Sequence, residues 1–158
     1  MTEGQTRLRT YMVVIDETRE ARVALRFAAR RAVKTGGHVQ VLAVIPPAEF
    51  VQWGGVQAAM EEEAEARAQG LLAQVAGEMM EEAGVRPAIM VRQGDPAEVT
   101  MQVLDETPDV HALVLGAAAK GSPGPLVSHF TSEVVGQLRC PVMIIPGGLS
   151  DEALDRLS

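Results

Sequence analysis

Tyr11-Met-Val-Val-Ile15 is five apolar residues in a row, with no polar residue for either face of the strand it would form. Val39–Ile45, Pro87-Ala-Ile-Met-Val91, Ala112-Leu-Val-Leu115 and Val142-Met-Ile-Ile145 are the further strand-like runs, Gln40 being the single polar interruption. Strands apolar on both faces belong to a parallel sheet covered by helices on both sides. The intervening segments have helical spacing. From Arg19 to Lys34, Leu25, Ala28, Ala29 and Ala32 recur at i, i+3, i+4, i+7. Across 58–83, Ala68, Leu71, Leu72, Val75 and Met79 mark a buried side, with Gly70 and Gly77 weakening the helix. The expected order is β-α-β-α-β-α-β-α-β, an α/β fold with right-handed crossovers.

Punctuation supports these boundaries. Thr18 is placed to cap the first helix, and Thr35-Gly-Gly37 to stop it. Pro46-Pro47 closes the second strand, and Gly84 ends the second helix. In Gly94-Asp-Pro-Ala-Glu98, Asp95 caps, Pro96 takes the first helical position and Glu98 completes a capping box. Pro108 bars extension of that helix. A last short helical segment is expected before Arg139-Cys-Pro141, and one or two turns at Asp151–Leu157. The expected organisation is a flexible N-terminus at 1–9, one domain at 10–148 and a tail at 149–158.

Length and charge narrow the function classes. At 158 residues the chain suits one core, built from aliphatic residues because aromatics are only 3%. No apolar run approaches the ~18–20 residues that span a bilayer, and residues 1–9 lack a signal-peptide core. A cytoplasmic location is therefore expected, and the single cysteine, Cys140, fits a reducing compartment as a small buried residue. A formal charge of −7 argues against a nonspecific nucleic-acid footprint. Arg19, Arg22, Arg26, Arg30 and Lys34 share a face of the first helix, read as a solvated outer face, and seven glutamates between 61 and 82 make the second helix acidic. Trp53, in the 46–57 connection, either covers a site mouth or packs on the domain.

The stretch after the fourth strand carries the candidate chemistry. A loop leaving the carboxyl end of a parallel strand and entering a helix is where small anions settle. Gly116-Ala-Ala-Ala-Lys-Gly-Ser122 nearly spells a P-loop, but Lys120 precedes its glycine instead of following it. A shifted nest from Lys120, Gly121, Ser122 and Gly124 stands against a plain glycine-proline turn. Asp16, ending the first strand, is placed either for a ribose hydroxyl or for capping the next helix. His38, His111 and His129 are far apart, and no spacing of Cys, His and carboxylates suggests a metal. There is no Ser/His/Asp order and no nucleophile elbow, so no catalytic residue is assigned.

Taken together, Val13-Val-Ile-Asp16, Gln40-Val-Leu-Ala-Val-Ile45, Gln93-Gly-Asp-Pro-Ala-Glu98, Val114-Leu-Gly116 and Cys140-Pro-Val-Met-Ile-Ile145 resemble the universal stress protein family, nearly from end to end. The resemblance implies a Rossmann-like sheet of the adenine nucleotide alpha hydrolase type, with strand order 3-2-1-4-5. It also implies a homodimer paired through the edge strand Val142–Ile145, which would otherwise expose apolar residues. Members that bind ATP carry Gly-x2-Gly-x9-Gly-(Ser/Thr) after strand four. Aligned without gaps, Gly116 keeps the first glycine, but Ala119, His129 and Phe130 replace the rest before Ser132-Glu133 rejoins the pattern. Asp16 and Val44 match positions that contact ribose and adenine. The expectation is a stress-related regulatory or binding protein without tight ATP binding and with no cofactor, His129 and Phe130 filling phosphate space. The alternative is a sensor of ATP or AMP, with Asp16, Val44, Gly116, Lys120, Gly121, Ser122 and Ser132 as its contacts.

Overall fold

The computed structural model describes residues 9–46 and 56–158. The expectations for residues 1–8 and for Trp53 lie outside the described residues. The strands are β1 (Thr10–Ile15), β2 (His38–Ile45), β3 (Ala88–Gln93), β4 (Val110–Ala117) and β5 (Val142–Pro146). They form one sheet of order β3-β2-β1-β4-β5, every neighbouring pair parallel. This is the expected order. The helices are α1 (Arg19–Thr35), α2 (Val56–Ala83), α3 (Pro96–Glu106), α4 (Pro125–Phe130) and α5 (Asp151–Leu157).

Alternation along β1 explains the two-sided core. Tyr11, Val13 and Ile15 join α1, α2 and α5 on one face, while Met12 and Val14 join α3 and α4 on the other. The residues singled out on α1 are all buried, and so are Ala21, Val23, Ala24 and Phe27, so α1 is sunk more deeply than its periodic stripe suggests. On α2, Leu72, Val75 and Met79 are buried and Leu71 is partly so.

Thr18 and Asp95 cap their helices as expected. Thr18 Oγ1 accepts from Ala21 N at 3.3 Å and Asp95 Oδ1 from Glu98 N at 3.0 Å. Gly36 ends α1 at φ 65°, the left-handed position glycine tolerates. Ser150 Oγ caps α5 by accepting from Ala153 N at 3.2 Å.

Two features differ from expectation. The last crossover is not one helix: α4 ends at Phe130, with Thr131 as its C-cap, and a 3₁₀ turn at Glu133–Gln137 follows. Thr131 Oγ1 and Ser132 Oγ turn back to the carbonyls of Val127 and His129, the local competition by which these side chains end a helix. The basic face of α1 is also not simply solvated. Arg22 pairs with Glu78 at 2.8 Å and Arg26 with Glu82 at 3.5 Å, on α2. Arg30 Nε reaches Asp155 at 2.8 Å and Arg26 reaches Asp151 at 3.2 Å, on α5. Lys34 Nζ donates to Ser158 Oγ at 2.9 Å and to the Asp155 carbonyl. The face is a charged seam joining three helices.

Candidate functional site

The chain leaves β1 for one face of the sheet and reaches β4 from the other. Between two such strands the crossing connections diverge and a crevice opens at the carboxyl ends. A cavity of about 480 Å³ lies there, within the ~300–1,000 Å³ typical of small-molecule sites. Its floor is the ends of β1 (Val14–Asp16), β2 (Ala43–Pro46) and β4 (Leu115, Gly116). One wall is the turn into α1 and its first turn, with Glu17, Thr18 and Glu20. The second is α2, through Ala64, Arg67, Ala68 and Leu71, and the third is Pro123–Val127.

Asp16 is exposed at the mouth. Its Oδ1 accepts from the Thr18 amide at 2.8 Å and from the Thr18 hydroxyl, while Thr18 caps α1. Asp16 thus does not itself cap α1; it braces Thr18, which does, and it lines the cavity. Val44 lies one step past the last β1–β2 pair, Ile15↔Ala43, so that on its β1 side β2 faces the crevice, while on its other side it pairs with Arg92 of β3.

Gly116 also lines the cavity, for a reason the glycine pattern does not express. A Cβ there would stand 2.1 Å from the Glu20 carbonyl oxygen, and one on Gly147 would stand 2.8 Å from Glu20 Cβ. These two glycines let the first turn of α1 rest directly on the backbone of β4 and of the chain just past β5.

The remaining expected contacts lie elsewhere. Ala118 N donates to the Pro123 carbonyl at 3.1 Å, closing the loop at its base. Lys120, Gly121 and Ser122 sit exposed at its tip, outside the cavity lining. Ser132 is exposed too, its hydroxyl donating to the His129 carbonyl at 2.6 Å.

The expectation that His129 and Phe130 fill phosphate space is corrected by their positions. Phe130 is fully buried among Val99, Val103, Leu113 and Leu115 in the core between α3, α4 and the sheet. The His129 ring meets it edge-on at 5.0 Å, and neither residue lines the cavity. Pro123 and Pro125 do line the cavity, two of five consecutive residues on that wall, and neither has an N–H.

Sequence reasoning missed Glu17, Glu20, Arg67 and the prolines as lining residues. Arg67 was within reach of it. The i, i+3, i+4, i+7 spacing of Ala64, Arg67, Ala68 and Leu71 puts these four on one stripe of α2, of which only Ala68 and Leu71 were picked out. Among the described residues no cluster of three or more His, Cys, Asp or Glu is arranged to hold a metal, and no helix is long and apolar enough to cross a membrane.

Comparison with curated protein sequences returns no match. Among solved structures, the universal stress protein UspA from Lactobacillus plantarum superposes with a TM-score of 0.73 at 18% identity, covering 87% of this chain and 97% of that one. A universal stress protein family member from Burkholderia pseudomallei gives 0.69 at 17% identity, covering 89% and 98%. A family protein from Arabidopsis thaliana, solved with AMP bound, gives 0.60 at 21% identity, covering 91% and 94%. At these identities the likeness establishes the fold. The family is established by sequence: the model of the universal stress protein family matches residues 8–146, and the chain belongs to that family.

Proposed function

We propose that this protein is a regulatory binding module, not an enzyme, that takes an adenine-type ligand in the β1/β4 crevice without holding ATP tightly. The observation that carries this reading is the cavity's composition. Asp16 and the open edge of β2 at Val44 offer polar contacts to a base and its ribose, while Pro123 and Pro125 withhold amides from the phosphate side. The AMP-bound Arabidopsis relative supports the adenine class. The purified protein is expected to carry no stoichiometric nucleotide. Release of ATP in near-equimolar amount on acid denaturation would overturn the reading.

A second reading, a nucleotide sensor with phosphate contacts from Lys120, Gly121 and Ser122, draws on the same relative. It has less support, because those residues stand outside the cavity lining. Calorimetry with ATP, ADP and AMP, with and without Mg²⁺, separates the two.

The proposed assembly is a cytoplasmic homodimer joined along β5. That strand is an edge of the sheet, Ile144 is 37% exposed, and Val135 of the 3₁₀ turn is 46% exposed. An acidic chain with a formal charge of −7 fits neither nucleic acid nor an anionic membrane surface as partner.

A further inference from the structure

We propose that the cavity selects an unphosphorylated nucleoside over the corresponding nucleotides. The proposal rests on the reading of the crevice as a ligand site and adds the chemical class of its occupant.

Three carboxylates line the cavity, Asp16, Glu17 and Glu20, against one basic side chain among the described lining residues, Arg67. An ionised carboxylate only accepts hydrogen bonds. It is matched by a ligand rich in donors, and a purine nucleoside brings ribose hydroxyls and an exocyclic amine. A phosphate at neutral pH is also chiefly an acceptor and carries negative charge. Placed among these three carboxylates it meets repulsion, with Arg67 the one basic side chain among the described lining residues to set against them.

The loop opposite does not make up the difference. Pro123 and Pro125 bring no N–H, which leaves this wall only the amides of Gly124, Leu126 and Val127. Pro125 is the first residue of α4, which is six residues long and contributes little dipole. Lys120 is held away at the tip of its closed loop. The aliphatic floor suits the face of a heterocycle: Val14, Ala43, Val44 and Leu115. The crevice thus has the parts for a base and a sugar and offers a phosphate more repulsion than bonding.

The test is isothermal calorimetry on the full chain with adenosine, AMP, ADP and ATP, without Mg²⁺. Adenosine is expected to bind tightest, with AMP about tenfold weaker and the gap narrowing as salt rises from about 0.05 to about 0.5 M. AMP binding as tightly as adenosine, or more so, overturns the proposal and leaves the crevice a ligand site. No heat from any of the four overturns both. A second arm uses Glu17→Gln with Glu20→Gln, checked by its melting curve. The variant is expected to raise the affinity for AMP relative to that for adenosine at least threefold, and Pro125→Ala to act in the same direction. An unchanged AMP-to-adenosine ratio in both variants overturns the proposal.

Discussion

Single residues separate folding roles from ligand roles. Gly116→Ala pushes a methyl against the Glu20 carbonyl at 2.1 Å, so α1 or β4 must shift. We expect a loss of roughly 1–3 kcal/mol in urea unfolding, whatever the ligand. Phe130→Ala is expected to cost about 3–5 kcal/mol by emptying the core under α4, and to gain no ATP binding. Had the ring stood in phosphate space, truncation would instead open a site at little structural cost. Cys140 gives a pH-dependent check. Burial pushes its thiol above the ordinary value, partly offset by the Leu113 amide. The folded state therefore holds its proton at pH values where the unfolded thiol has lost it. Stability from this group is level below the ordinary thiol pKa and falls as pH rises through and above it. Cys140→Ala is expected to flatten that alkaline decline, and iodoacetamide at pH 8 to modify the native protein more slowly than the urea-unfolded chain.

Among the elements, α5 shows how apolar burial and charge divide the work. Leu154 is 1% exposed against α1, whereas the carboxylates of Asp151 and Asp155 are largely open to solvent. Exposed ion pairs contribute well under about 1 kcal/mol each, and a buried leucine two to four times that. Leu154→Ala is thus expected to cost about 2–4 kcal/mol and Asp155→Asn less than about 1 kcal/mol, in thermal or urea melts. On α2 the sign reverses. A Cβ added at Gly70 or Gly77 meets nothing within 4 Å, so each Gly→Ala change should stabilise by about 0.5–1 kcal/mol. The strands and α1 to α3 were legible because their signals are local: unbroken apolar runs, helical spacing, and caps such as Asp95 and Gly36. The α4–3₁₀ break was not. It depends on two hydroxyls turning back onto carbonyls, and Thr131 and Ser132 give no periodic warning.

For the whole molecule, the sheet order and the position of the crevice follow from the alternation of runs and the family resemblance, and both are observed. The identity of the cavity wall was harder to read. Glycine-pattern reasoning treats residues 116–130 as one unit facing a ligand. In space that stretch divides: Gly116 supports α1, the loop tip at 120–122 faces solvent, and Phe130 enters the opposite core. Right-handed crossovers fix the side of the sheet on which this connection lies, but spacing in sequence does not say which residues of a short, irregular crossover enter the core and which face the crevice. The proposed dimer is a prediction at this scale as well. Ile144→Lys, on the outer edge strand, is expected to leave the melting curve of the monomer fold in place and shift sedimentation to monomer mass.

The seating of α1 on Gly116 and Gly147 has a mechanical consequence. With backbone resting on backbone, the turn that carries Asp16 has no slack, because no side-chain rotamer there can relax to let it slide. This side of the crevice is an anvil. Occupancy can be signalled outward only by yielding on the α2 or Pro123–Val127 side, and deuterium uptake should report it: amides of 19–23 constant with and without adenosine, those of 124–138 slowed.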